Sequence, residues 1–320
     1  MTILPTPSGT RDVLPDEARE INAITGAIRG VFERHGYGEV RTPALEYEEV
    51  LDRAGLSQDR AVYRTFDERG QVLTLRWDMT VPIARVVATR YATAEPPLRF
   101  SYFAHAYRDV RQGRAQPREF LQAGIELVGS PAPDGTAEAL HLLCRALDAA
   151  GLRDYRIGLG DAALYPALME QAGVPEGSRD ALLGALVTRD HVGLENAVAQ
   201  LGLGDDAAEK LVRVPQVRGG VEVLADERLG GSGEMLQRLH ALLEPDVQQR
   251  VIFDLGLVRQ LGYYTGAVFE VYDPALGVPI GRGGRYDDLL GKFGRPLPAV
   301  GFALGIERLH EAVTGEERTR

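Results

Sequence analysis

Cysteine is almost missing from this chain: Cys144 is the only one in 320 residues. No internal disulfide can form, so a fold stapled by disulfides is excluded. The flanking "LHLLCRALDAAGL" puts Cys144 on an apolar helix face, which reads as a buried, inert thiol. No segment approaches the roughly 20 consecutive apolar residues that span a bilayer. No charged leader precedes an apolar run in the opening "MTILPTPSGTRDVLPDEARE", so the expected compartment is the cytoplasm. The six histidines are scattered, and no His or Cys cluster has metal-ligand spacing, which argues against a metal-dependent hydrolase. G-x-S-x-G, G-x-x-x-x-G-K-[ST] and a strand-linked G-x-G-x-x-G are all lacking, removing the common nucleophile, triphosphate and dinucleotide signatures.

Positive charge is also short. Asp and Glu total 46 against 36 Lys and Arg, a formal charge of −10, which disfavours a broad nucleic-acid-coating surface. What is present, 44% hydrophobic and 26% charged residues, describes a globular chain able to bury a substantial core.

Periodicity orders that chain. "EAREINAITGAIRGVFERHGY" has Ile21, Ile24, Ile28 and Phe32 at helical spacing, with Pro15 just before the helix and Gly36 just after it. "GEVRTPALEYEEVL" reads as a short strand ended by Pro43 and a helix reaching Ala54. "AVYRTFDERGQVLTLRWDMT" reads as a hairpin about "DERG", and Thr80 opens a helix. "LRFSYFAHAYRDV" and "EFLQAGIELVG" form a second strand pair. After the helix "TAEALHLLCRALDAAGL" and the strand "YRIGLGD", residues 163–246 are nearly all helical, which reads as an insertion rather than part of a sheet. Strand character returns in "RVIFDLGLVRQLGYYTGAVFEVYD", and "PAVGFALGIERLHEAV" passes from strand to helix. Hairpin-linked strands with helices gathered elsewhere predict an α+β fold with a largely antiparallel sheet.

The second strand pair holds the chemistry. Arginines 108, 111, 114 and 118 surround the loop, a basic patch suited to phosphate or carboxylate. Arg111 and Arg114 read as a solvated loop tip, whereas Arg108 reads as part of the strand. Beyond the loop, Leu121, Ala123, Ile125 and Leu127 make a core face, and Phe120, Gln122, Gly124 and Glu126 the opposite one. From spacing alone, Gln122 and Glu126 either face solvent on a one-sided sheet or are buried polar groups awaiting an amine or imidazole. "LVRQLGYYTG" adds Arg259, Tyr263 and Tyr264, a cation with two hydroxyls or ordinary aromatic packing; "GRGGRYDD" marks a close backbone approach or only a turn.

Taken together and in order, these stretches resemble the catalytic core of the class II aminoacyl-tRNA synthetases, specifically histidyl-tRNA synthetase. "YGEVRTPALE" is similar to the dimer-forming first class II motif, "YRDV" to "REFLQAGIE" to the second, and "GFALGIERL" with Arg308 to the third. "LVRQLGYYTGAVFE" and "GGRYDDLL" resemble the two histidine-specific segments. The resemblance implies a histidine pocket. Asp78, Thr80 and Gln122 would hold the α-amino group, Glu126 and Tyr264 the imidazole, and Arg259 the carboxylate, while Tyr263 would line the site. It also implies that Arg108 would meet an ATP α-phosphate and Arg308 the adenine.

The departures are specific. The synthetase F-R-x-E is Tyr107, Arg108, Asp109 and Val110 here, so a carboxylate that helps position ATP is replaced by an apolar side chain. R-P-E-G-T is "RWDMT", and G-L-D-Y-Y is "QLGYY". The chain stops at Arg320, where a synthetase would continue into an anticodon-binding domain. A core of this kind, residues 1–320 interrupted at about 163–246, resembles the regulatory-subunit family of ATP phosphoribosyltransferase. That resemblance implies a non-catalytic partner of a short catalytic subunit, activating it and conferring histidine feedback on the first step of histidine biosynthesis. It also implies self-association through the first class II motif, histidine as effector, no metal or other cofactor, and no membrane or tRNA partner. The alternative is an enzyme that adenylates histidine or another amino acid, which the arginines at 108, 259 and 308 would serve.

Overall fold

A computed structural model describes residues 5–56, 62–109, 117–257, 262–274 and 276–319. The first helix, α1 (Pro15–Arg34), buries Ile21, Ile24, Ile28, Val31 and Phe32 on one stripe, as the helical spacing predicts. Pro15 occupies the first helical position, one residue later than expected, where its fixed φ fits and its missing N–H costs nothing. Past the helix end Gly36 takes a φ of 78°, a left-handed conformation that glycine adopts without strain.

The chain continues through β1 (Gly38–Glu39), β2 (Leu45–Tyr47), α2 (Glu48–Ala54), β3 (Arg64–Phe66), β4 (Val72–Leu75) and α3 (Thr80–Arg90). The expected hairpin about "DERG" is the antiparallel pair β3 and β4, with Phe66 opposite Val72. Pro43 does not itself end the short strand, which stops at Glu39. It separates β1 from β2, and β2 pairs with β4 in a small three-stranded sheet that periodicity did not reveal.

Two ten-residue strands follow, β5 (Leu98–Tyr107) and β6 (Glu119–Val128), antiparallel over their full length. After them come α4 (Asp134–Ala149) and β7 (Arg156–Asp161). The next segment holds α5 (Leu164–Gln171), α6 (Glu176–Thr188), α7 (His191–Ala199), α8 (Asp205–Arg213), β8 (Arg218–Gly219) and α9 (Gly230–Leu242). The chain closes with α10 (Pro245–Gln248), β9 (Val251–Asp254), β10 (Ala267–Tyr272), β11 (Gly281–Arg285), α11 (Leu289–Lys292), β12 (Ala299–Gly305) and α12 (Ile306–Thr319).

Among the described residues the main sheet has nine strands in the order β1-β5-β6-β12-β11-β10-β7-β9-β8. Only β1 with β5 and β7 with β9 pair in parallel. This is the mixed α+β architecture that hairpin-linked strands imply. The helical segment is the crossover between the parallel strands β7 and β9. Contrary to the expectation that it stands apart from any sheet, it supplies the edge strand β8. Its buried Leu164, Leu182, Leu211 and Leu236 belong to one apolar cluster with the sheet. Polar ties add to that: Arg218 is 3.0 Å from Asp254 of β9, and Arg189 donates to the Tyr272 hydroxyl of β10 at 3.2 Å.

The two faces of the sheet differ. One carries Ala123, Ile125 and Leu127 of β6, Val300, Phe302 and Leu304 of β12, and Phe269 and Val271 of β10, buried with Ile28 and Phe32 of α1 and Leu140, Leu143 and Leu147 of α4. Each of these Val, Leu, Ile and Phe side chains contributes about 1.5–3 kcal/mol of burial energy. The opposite face is floored by small residues: Gly124, Gly301, Ala303 and Gly284 align in register across β6, β12 and β11. That face holds the site.

Arg285, 2% exposed, ends β11 on the opposite, α4-packed face, in register with Val300. It donates to Ser130 O at 2.8 Å and to Thr136 Oγ1 at 3.3 Å, and pairs with Asp287 at 3.0 Å. Removing a buried cation strands its acceptors, so Arg285→Leu should cost about 2–3 kcal/mol, read as a lower urea midpoint. An unchanged midpoint would show that these bonds hold nothing.

Candidate functional site

Alternation along β6 aims Gln122 and Glu126 at the glycine-floored face, and register sets Tyr102 opposite Gly124 and Phe100 opposite Glu126. Neither polar residue faces solvent: Gln122 is 8% exposed and Glu126 1%. Of the two readings open from spacing, the buried one is observed.

Glu126 is the centre of the group. Thr80, the first residue of α3, donates to Glu126 Oε1 at 2.7 Å, and the Tyr286 hydroxyl donates to Oε2. Asp78 lies just before α3 and accepts the Val81 N–H at 3.2 Å and the Tyr263 hydroxyl at 3.4 Å. Tyr263 packs against Tyr264 with tilted rings 5.0 Å apart and meets Tyr286 edge-on at 5.7 Å. The ring of Tyr264 lies close against β11, where a Cβ at Gly284 would stand 2.7 Å from its Cε1. A Cβ at Gly301 would overlap Glu126 Oε2, and one at Gly124 would overlap both Phe302 O and the Tyr102 hydroxyl. Glycine at these places lets polar side chains lie directly on the backbone.

Burial dominates the electrostatics. It pushes the Glu126 carboxyl up to about 8; the charge of Asp78 adds to the rise, and the bonds from Tyr286 and Thr80 only partly oppose it. Tyr102 and Tyr286, fully enclosed beside the same carboxyl, are held well above the usual tyrosine range. Gln122 Oε1 is a buried acceptor with no hydrogen-bond partner, the kind of group a ligand donor satisfies. Two acidic side chains, an unmet amide oxygen and a wall of tyrosines suit a small molecule with two nitrogen donors.

The structure therefore brings together Asp78, Thr80, Glu126, Tyr263 and Tyr264, with Gln122 on the same strand face. Arg259, expected at the carboxylate, lies outside the described residues, as do Val110, Arg111 and Arg114. Arg108 falls one residue past the end of β5, not inside the strand, although its N–H still pairs with Arg118 O at 2.8 Å. Its guanidinium is stacked 4.6 Å from the Trp77 ring and 4.7 Å from Phe120, a cation–π sandwich invisible in the spacing. Arg308 lies beside Gly305, the register partner of Gln122, and donates to Pro279 O at 2.9 Å.

Sequence reasoning missed two members of the group. Tyr286 lies in "GGRYDDLL", where nothing in the spacing assigns it a role, and Tyr102 is one aromatic among several in "LRFSYFAHAYRDV". Strand alternation gave the signal for Tyr102, since it shares a face with Arg108. Among the described residues no group of three or more His, Cys, Asp or Glu is placed to hold a metal. Nor, among them, is any helix long and apolar enough to cross a membrane.

This sheet and its pocket define a histidyl-tRNA synthetase-like core, and the family model described as histidyl-tRNA synthetase matches residues 9–309. Relatives narrow the class. An "ATP phosphoribosyltransferase regulatory subunit" from Symbiobacterium thermophilum is 44% identical over 95% of this chain and 78% of its own length. One from Rubrobacter xylanophilus is 43% identical over 95% and 75%. A solved structure from Bacillus halodurans, titled as an ATP phosphoribosyltransferase regulatory subunit/histidyl-tRNA synthetase, superimposes with a TM-score of 0.90 at 33% identity, covering 98% of this chain and 84% of that one. The chain belongs to the ATP phosphoribosyltransferase regulatory subunit family, built on the histidyl-tRNA synthetase fold.

Proposed function

We propose that this chain is a histidine-sensing regulatory subunit without adenylating activity. It assembles with a short catalytic ATP phosphoribosyltransferase subunit, activates it and makes it responsive to histidine. The observation that carries the reading is the buried Glu126 carboxyl held by Thr80 and Tyr286 near Asp78, with Gln122 Oε1 unmet on the same strand face. Glu126 with Tyr264 takes the imidazole, Asp78, Thr80 and Gln122 take the ammonium, Tyr263 lines the site, and Arg259 takes the carboxylate. These pairings match acceptors to donors and a guanidinium to a carboxylate. Histidine acts by linkage: binding two assembly states unequally shifts their balance, typically by roughly 1–3 kcal/mol.

The nucleotide half supports a signal rather than a substrate. Val110 stands in the place of an ATP-positioning carboxylate, and Arg108 is held between two aromatic rings. Residues 1–320 form one core interrupted at about 163–246, and the apolar cluster that the segment shares with the sheet favours its being part of that core. Copies associate through the first class II motif, near which Leu45 and Tyr47 are each 43% exposed; the partners do not include tRNA, and the compartment is the cytoplasm.

Two measurements on the purified chain test this. Calorimetric titration should show histidine binding, and histidine-dependent exchange of pyrophosphate into ATP should stay at background. Robust exchange would establish the adenylating alternative, which the presence of Arg108 and Arg308 favours.

A further inference from the structure

Glu126 is placed unlike an ordinary ligand-binding carboxylate. Both oxygens are already engaged, one by Thr80 and one by Tyr286, and the group is enclosed. The titratable or charged groups facing it, among the described residues, are Asp78 ahead of α3, Tyr102 on β5 and Tyr286 after β11; Tyr264, in the loop before β10, adjoins Tyr102, and Tyr263 adjoins Asp78 and Tyr286. None of these is a cation. A carboxylate in that setting has two hydroxyl donors but no neutralising charge, and an imidazolium N–H supplies it.

We propose that Glu126 and the imidazole of bound histidine share a single proton, so that histidine occupancy, and the signal it carries, is proton-linked. This rests on the histidine reading above and adds the protonation state of the complex. With no proton, the pair keeps the uncompensated charge of a buried carboxylate, whichever ring nitrogen the neutral imidazole turns toward it. With two, a buried imidazolium would face a neutral acid. One proton between them leaves a neutral pair in which every donor has an acceptor.

The balance follows from the free partners. Free imidazole takes up its proton near its ordinary value of about 6.5, and the unliganded Glu126 carboxyl holds its own up to about 8. Between those limits the carboxyl brings the one proton and the ligand brings none, so binding exchanges no proton with solvent. Below the lower limit both partners are protonated and binding releases one proton. Above the upper limit neither is, and binding takes one up. Affinity therefore passes through a maximum between about pH 6.5 and 8, and falls about tenfold per pH unit on either side.

The test is titration of histidine into the intact chain from pH 5.5 to 9, repeated in buffers of different ionisation enthalpy. The expected result is release of about one proton at the acid end, none near pH 7.2, and uptake of one at the alkaline end. Glu126→Gln retains the ligand's own titrations, and its profile should lose the alkaline limb contributed by the carboxyl. Tyr286→Phe removes a bond that favours the ionised carboxyl, so its alkaline limb should move to higher pH. This arm also serves if the glutamine variant folds poorly. A wild-type profile no different from that of Glu126→Gln, or an alkaline limb that Tyr286→Phe leaves in place, overturns the proposal. Histidine that fails to bind at any pH overturns the histidine reading itself, and the proposal with it.

Discussion

Glu126→Gln should remove the fall in stability that this carboxyl imposes on the unliganded chain as pH rises from 4.5 to 9. In the unfolded chain a glutamate titrates near 4.5, whereas in the fold Glu126 keeps its proton up to about 8. A raised folded value means that the native state holds the proton while the unfolded state loses it. The stabilisation is thus fully present below 4.5 and is lost as pH rises through 8. A separation of roughly three to four units corresponds to about 4–5 kcal/mol. A glutamine has the same shape and no proton to lose. Urea unfolding of the two proteins should give similar stabilities at pH 4.5 and a clear advantage for the variant at pH 9. Parallel curves across that range would show that Glu126 is solvated in solution and that the enclosed pocket is wrong. The same substitution should weaken histidine binding, which sets the site's stability against its function.

The second large effect is expected at Gly124, and there the site's floor is at stake. An added methyl would overlap the backbone oxygen of Phe302 and the hydroxyl of Tyr102. The first belongs to the neighbouring strand β12 and cannot swing aside, so β6 and β12 must separate locally. Overpacking of this kind costs about 1–3 kcal/mol, and two obstructed neighbours put Gly124→Ala at the upper end. Because Glu126 and Gln122 flank the position on the same strand, histidine binding should be abolished even in the fraction that folds. A variant with native stability and native histidine affinity would show that the pocket floor lies elsewhere. Gly36→Ala is a useful contrast. An added Cβ there meets nothing within 4 Å, and only the positive φ is strained, so stability should fall modestly and binding should not change.

Much of this was legible because two periodicities were clean. The alternation from Phe120 to Leu127 marks the core face but leaves the face of Gln122 and Glu126 open between solvent and a buried site, and the spacing of Ile21, Ile24, Ile28 and Phe32 marks α1. Legibility failed where local residue preference and tertiary demand disagree. Gly281–Arg285 is an interior strand of the sheet, so of the two readings its glycines leave open, a close backbone approach or a turn, the close approach is observed. They are there because rings need room: a Cβ at Gly283 would overlap Phe269, and one at Gly284 would crowd Tyr264. The two-residue strands β1 and β8 exist only by pairing with distant partners, so no local pattern marks them. Tyr102 and Tyr286 look like ordinary aromatic core until the register brings them to the carboxyl of Glu126. The aromatic sandwich on Arg108 depends on Trp77 and Phe120, which come from separate segments; the same arginine that reads as a phosphate grip is thereby given a packing role as well.

The most direct test of the regulatory account is the rate of phosphoribosyl transfer by a short catalytic subunit, with and without saturating chain, across a histidine titration. The account predicts that the chain raises the rate, that histidine then suppresses it, and that Glu126→Gln keeps the activation while shifting the suppression to higher histidine. A rate and a histidine response unchanged by the chain would contradict it.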